Sequence, residues 1–229
     1  AGTLFLQTLG WQVLLRARGW NIPLRTTIAS MLMGNAAAYV TPSMYLGGEP
    51  LRIWHIGTRF NLQKREVAAT VIVHKFAEFA GFIVALLACT GTMLWRFDLS
   101  PAVRIGSTAA SAVLLLVFLA LAVAFIGRWP LASGVLRLFG RRAESLRMKT
   151  VEMEGHIEST FRDHGAAFAA ALLLTGGPLA LVVAKPLAFF AFLGRPLSFP
   201  ELALVFVCSQ IILAFQITPG SLGVLEGGL

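Results

Sequence analysis

The chain has 229 residues, of which 57% are hydrophobic and only 13% charged, with mean hydropathy +0.76. A soluble domain of this size carries about a quarter charged residues, so composition excludes an ordinary soluble fold, and the absence of ten-residue alternating segments excludes a β-barrel. The net charge of +8 lies in stretches between apolar runs, which points to an anionic lipid surface as partner and away from nucleic acid.

Residues 3–15 (TLFLQTLGWQVLL) read as the end of a transmembrane helix stopped by Arg16 and Arg18. The chain opens on Ala1 with no basic n-region, so this stretch does not read as a signal peptide. It closes at Gly228-Leu229 inside a glycine-rich stretch, and is read as one transmembrane domain over 1–229 cut from a longer protein. Residues 28–46 are moderately apolar and run into "TPSMYLGGEP" at 41–50, where two prolines, two glycines and an acid break the helix. Residues 50–66 are expected to be a polar loop.

Residues 67–95 make a helix about 40 Å long at about 1.5 Å per residue, enough to span with tilt. A turn at 96–104 leads to a second span, 105–127. The polar stretch 128–165 carries an apolar stripe at three and four spacing: Leu136, Phe139, Ala143, Leu146, Thr150, Met153 and Ile157. That periodicity predicts an amphipathic helix within an insert at 130–165, lying on the leaflet, docking a partner, or forming a solvated hairpin. Residues 166–193 span again, 194–201 turn, and 202–217 re-enter the membrane. The five tryptophans fall near helix ends and read as an interfacial belt. Cys89 and Cys208 lie in apolar segments and imply no disulfide or metal framework.

Loop charge sets orientation. If 28–46 dips in and returns, the loops 16–25, 50–66 and 128–165 share one face with 14 Lys and Arg, against 3 on the other. The re-entrant arrangement therefore obeys the positive-inside rule, and those three loops are placed in the cytoplasm.

The break at 41–49 has a counterpart. "TPGSLGVLE" at 218–226 repeats Thr-Pro, a small residue, Leu-Gly and Glu over the same length, and it is approached from the opposite face. Paired Gly/Pro-interrupted segments are the sequence pointer to an inverted-repeat transporter site. Unpaired backbone N–H and C=O groups are costly in hydrocarbon, so irregular backbone at depth survives where it lines a cavity or is buried in protein. Pro42 and Pro219 stop one helix, and Gly47, Gly48, Gly220 and Gly223 permit close approach. A helix restarting after the break offers free N–H groups and a positive dipole end, a cradle for a lipid phosphate. The alternative is a plain loop of chance composition. The expected fold class is thus all-α: a polytopic transmembrane helical bundle with two re-entrant (broken) segments related as an inverted repeat.

Charged residues inside the long span are the second signal. His74, Lys75 and Glu78 share a helix flank by their i+3 and i+4 spacing. Such groups face a cavity or a partner, unless Lys75 snorkels to the interface. Glu49 and Arg52 flank Pro50 at the mouth of the first break, next to Thr41 and Pro42, and Glu226 mirrors Glu49. Lys185, before Pro186, reads equally as a paired structural charge. His74 and Glu78 lack a third ligand, so no metal site is expected.

"NAAAYVTPSMYLGGEPLR" (35–52), "VAATVIVHKFAEF" (67–79) and "QITPGSLGVLEG" (216–227) resemble the transmembrane region of bacterial lysyl-phosphatidylglycerol synthases and their stand-alone flippase-like relatives. The resemblance implies a multi-pass protein of the bacterial inner membrane that moves a phospholipid or polyprenyl-linked lipid between leaflets. Carried over residue by residue, its polar signature falls on Pro42, Gly47, Gly48, Glu49, Arg52, Lys75, Pro219, Gly220, Gly223 and Glu226. Lys75 stands where arginine is usual, and His74 where an acid commonly precedes it. The soluble aminoacyl-transferase domain of the synthases is absent from these 229 residues, so lysyl transfer is not expected of them.

The expected function is a flippase-type lipid transporter with no cofactor and no catalytic residue. Its partner is an anionic phospholipid or a polyprenyl-phosphate lipid, with a synthase or transferase partner and a homo-oligomer also open. Two rivals stand beside it: a structural module that docks a lipid-modifying synthase, and an intramembrane lipid-linked transferase. The transferase needs a carboxylate or histidine cluster, yet the chain has only two aspartates, Asp98 and Asp163.

Overall fold

A computed structural model describes residues 2–41, 47–126 and 144–214. Every element among them is a helix: α1 (Gly2–Ala17), α2 (Leu24–Val40), α3 (Glu49–Arg59), α4 (Lys64–Arg96), α5 (Pro101–Ile126), α6 (Glu144–Asp163), α7 (Gly165–Phe192) and α8 (Phe199–Ala214). Two of them, α4 and α5, are long and apolar enough to cross a bilayer.

Helix α4 is the hub, touching α1, α3, α5, α6, α7 and α8. Its first half joins two clusters. One sets Val67 and Val71 against Trp11, Leu15, Ile22, Met31 and Ile56. The other sets Ala69 and Val73 against Leu14, Ile157 and Ala171. Its second half packs Leu86, Cys89 and Met93 on Leu202, Ala203, Phe206 and Val207 of α8. Helices α4 and α7 cross tightly at Gly81, where an added Cβ would stand 2.6 Å from the Cα of Gly176. Small residues at a crossing let backbones approach and raise van der Waals contact, which drives helix association in lipid.

Helix α1 runs antiparallel to α4: Trp11 Nε1 donates to Thr70 Oγ1 at 3.1 Å, and Gln7 lies opposite His74. A Schellman turn ends α1. Gly19 takes φ +79, its N–H bonds the Arg16 carbonyl at 2.8 Å, and the Trp20 N–H bonds the Leu15 carbonyl at 3.2 Å. Gln12 then ties α1 to the following turn and to α2, donating to the Ile22 carbonyl at 2.7 Å and accepting from Thr27.

The stretch expected as a polar loop, 50–66, is mostly helix α3. Pro50 occupies its first turn beside the acid Glu49, and Arg59 closes its last turn, each favourable to the helix dipole. Ile53, Ile56 and Phe60 give it an apolar edge for the core. Helix α3 folds back antiparallel on α2, with Gly48 beside Gly34 and the Arg52 carbonyl 3.4 Å from Ser30 Oγ.

Within the polar insert the described part, residues 144–163, is helix α6, and Met153 and Ile157 of the expected stripe pack inward. Ile157 is buried and Met153 packs beside it against α4 and α7. Phe161 joins an aromatic group with Phe76 and Phe168. Two arginines pin α6 to one end of the bundle. Arg18 donates to the His156 carbonyl and, at 2.6 Å, to Thr160 Oγ1, while Arg65 pairs with Glu152. The end of α1 and the start of α4 therefore lie together beside α6. Stripe residues 136, 139 and 143 lie outside the described residues, as does the side chain of Leu146.

Candidate functional site

The reversal from α2 to α3 sets the floor of the site. A Cβ on Gly48 would stand 1.9 Å from the Gly34 carbonyl oxygen, and one on Gly34 would stand 2.8 Å from Arg52 Cγ. Only glycine fits at Gly48, where the obstacle is backbone, and a side chain at Gly34 would have to displace Arg52. This contact carries Arg52, one turn into α3, beneath α1 and α4.

Arg52 is almost wholly buried at 3% exposure. Its guanidinium lies 4.3 Å from the Trp11 ring centroid, a cation–π contact worth roughly 0.5–2 kcal/mol when desolvated. Its Nη2 reaches His74 Nδ1 at 3.3 Å. The other ring nitrogen, Nε2, is 2.9 Å from the Gln7 carbonyl. A carbonyl only accepts, so Nε2 carries the proton and Nδ1 accepts from Arg52, the neutral tautomer that satisfies both sides.

The carboxylates lie on the other flank. Lys75 Nζ bridges Glu78 at 2.8 Å and Glu49 at 3.3 Å. Glu78 also approaches His74 Nδ1 at 3.6 Å. Two acids and two cations thus balance in one cluster, with His74 between them. The balance is imperfect at the level of atoms. Among the described residues Arg52 has no carboxylate within ion-pair distance, and Arg52 Nε and Glu49 Oε2 are buried without a hydrogen-bond partner. Such orphaned donor and acceptor atoms in one nook are costly to keep. The arrangement can receive a ligand that offers an acceptor to Arg52 and a donor to Glu49.

Of the sequence-predicted residues, Glu49, Arg52, His74, Lys75 and Glu78 come together, with Gly48 beneath them. Gly47 is half-buried in the turn before α3. Thr41 ends α2, exposed, its hydroxyl bonded to the Ala37 carbonyl at 2.8 Å. Pro42, Pro219, Gly220, Gly223 and Glu226 lie outside the described residues, as does the side chain of Lys185. Lys75 bridges two acids, Glu49 and Glu78.

Three participants were missed: Trp11, Gly34 and the Gln7 carbonyl. Trp11 is a correction to the expected belt, because it is fully buried. Trp54 and Trp95 are exposed, and Trp129 lies outside the described residues. The available signal for Gly34 was its place in a small-residue run, which sequence alone could not pair with Gly48. No group of three His, Cys, Asp or Glu able to hold a metal occurs among the described residues.

Comparison with known proteins places these features in context. A family model described as the lysylphosphatidylglycerol synthase TM region matches residues 1–229. A UPF0104 membrane protein of Methanothermobacter thermautotrophicus is 30% identical over 240 residues, covering 98% of this chain and 69% of that protein. No solved structure matches the chain.

Proposed function

Because the chain belongs to the lysylphosphatidylglycerol synthase transmembrane-region family, we propose that this membrane protein is a flippase-type transporter, carrying a phospholipid or polyprenyl-linked lipid between leaflets of the plasma membrane. The carrying observation is the buried cluster of Arg52, His74, Lys75, Glu49 and Glu78 with its unpartnered Arg52 Nε and Glu49 Oε2. A cluster of this kind inside a membrane bundle is a functional site by default. The headgroup phosphate takes Arg52 and Lys75, and the released carboxylates pair with an amine on the lipid or with the protein's own cations.

The α2–α3 reversal supports reading the first break as a re-entrant hairpin, since α1 ends and α4 begins at the same end of the bundle, beside α6. That shared end is the cytoplasmic one in this reading. The counterpart break at Thr218–Glu226 lies outside the described residues, and the inverted repeat in this reading rests on its sequence. Rocking of one half against the other then alternates access.

A leaflet-resolved lipid assay in proteoliposomes tests the proposal. The Arg52→Ala/Lys75→Ala double variant is expected to lower the transport rate at least tenfold against the wild type. Equal rates sink the site.

A further inference from the structure

Beside the polar cluster, between α4 and α5, runs an apolar groove of about 190 Å³. Its walls include Ile72, Phe79 and Ile83 of α4 and Val117 and Leu121 of α5, and its one charged lining residue is Lys75. The stack of Phe76 on Phe118, with ring centroids 4.6 Å apart, holds the two helices together along it. From Ile72 to Ile83 the groove follows α4 for about 16 Å. Phe79, Val117 and Leu121 are exposed at its rim, so it is open to the surroundings of the bundle.

We infer that this groove seats one hydrocarbon chain of the transported lipid, an anionic phosphate carried on a long tail, with the headgroup held at Lys75. The inference rests on the transport reading and adds where the tail goes. Lys75 joins the two environments. It lines the apolar groove, while its ammonium bridges Glu49 and Glu78 in the polar cluster. Head and tail of an amphiphile thus meet complementary surfaces on the two sides of one residue. A protein helix is about 10 Å across with its side chains and does not enter such a groove. A chain does: an apolar cavity of about 150 Å³ already admits a benzene-sized ligand. The outer face of α5, with Val113, Leu116 and Val123 exposed, offers a lipid route to the rim.

Photolabelling of the full protein in bilayers tests this. Three probes carry the same diazirine on the tail: phosphatidylglycerol, a polyprenyl phosphate and neutral diacylglycerol. An anionic probe is expected to label Phe79, Val117 or Leu121 at least fivefold above the neutral probe, and which anionic probe does so identifies the lipid class. Labelling is expected to fall at least threefold in Lys75→Met and in Val117→Trp, a substitution at an exposed rim position. Leu116→Trp, outside the groove, leaves it unchanged. Equal labelling by the neutral probe means ordinary annular contact and overturns the inference, as does undiminished labelling in Val117→Trp. Headgroup-dependent labelling without leaflet transport keeps the groove and removes the transport reading. Transport that persists in Val117→Trp without labelling removes the groove alone.

Discussion

Helices α4 and α5 both pass the length and hydropathy test for a span, yet they solve the membrane problem differently. A third of the most apolar window of α4 is buried inside the protein, against 11% for α5. Helix α4 carries His74, Lys75 and Glu78 in mid-course, each held by a neighbour from α1, α3 or its own next turn. The one charge of α5, Arg104, sits near its start, where its guanidinium donates to the Leu94 carbonyl at 3.2 Å. In a bilayer this difference is the expected one, because lipid offers nothing to hydrogen-bond and polar groups need protein around them.

The comparison breaks first, and with the largest effect, by moving a charge to the wrong helix. Leu116→Asp puts a carboxylate on the exposed face of α5 near mid-span. It is expected to cost about 2.5–3.5 kcal/mol of insertion free energy, read as loss of the inserted form in a glycosylation-mapping assay. Insertion at the wild-type level would mean that this face of α5 is covered by protein and not by lipid.

Next comes the support of the α4 cluster. Gly48→Ala drives a Cβ into the Gly34 backbone, and neither side can yield without parting α2 from α3. We expect a loss of about 1–3 kcal/mol, typical of overpacking, seen as a lower unfolding midpoint in detergent together with reduced transport. An unchanged midpoint would show that the reversal is looser than the contact implies.

How much of this was legible in the sequence divides along the same line. The courses of α4 and α5 followed from long apolar runs, and the common flank of His74, Lys75 and Glu78 followed from helical spacing. Helix α3 was hidden because eleven residues of mixed composition read as a loop when four cations crowd the segment. Its amphipathic edge at Ile53, Ile56 and Phe60 was the signal available. Trp11 was misplaced because a tryptophan near a helix end has the same sequence appearance at an interface and in a core. Its burial depends on α2, α3 and α4 closing over it, a tertiary fact with no local mark. The stripe of α6 was legible as a stripe, but not the neighbour it would face.

Trp11→Phe sharpens the comparison at smaller amplitude. It removes the donor to Thr70 and weakens the ring beneath Arg52, while keeping most of the apolar volume. The expected loss is about 1–2 kcal/mol in unfolding free energy, with transport falling severalfold because Arg52 loses its platform. Stability lost with the transport rate intact would make Trp11 a core residue only.

The smallest effect has the opposite sign. Gly106 lies in the second turn of α5, and a Cβ built on it meets nothing within 4 Å. An open helical position gains from alanine through reduced freedom of the unfolded chain, by about 0.5–1 kcal/mol. Gly106→Ala should therefore raise the unfolding midpoint slightly while leaving the transport rate untouched. The same chemical change, one methyl group on glycine, thus carries opposite signs at Gly48 and Gly106. The sign is decided by what stands opposite: the backbone of α2 in one case and open surroundings in the other. A destabilised Gly106→Ala would mean that the start of α5 is covered in the working assembly, and the contrast between the two helices would then have to be drawn further along α5.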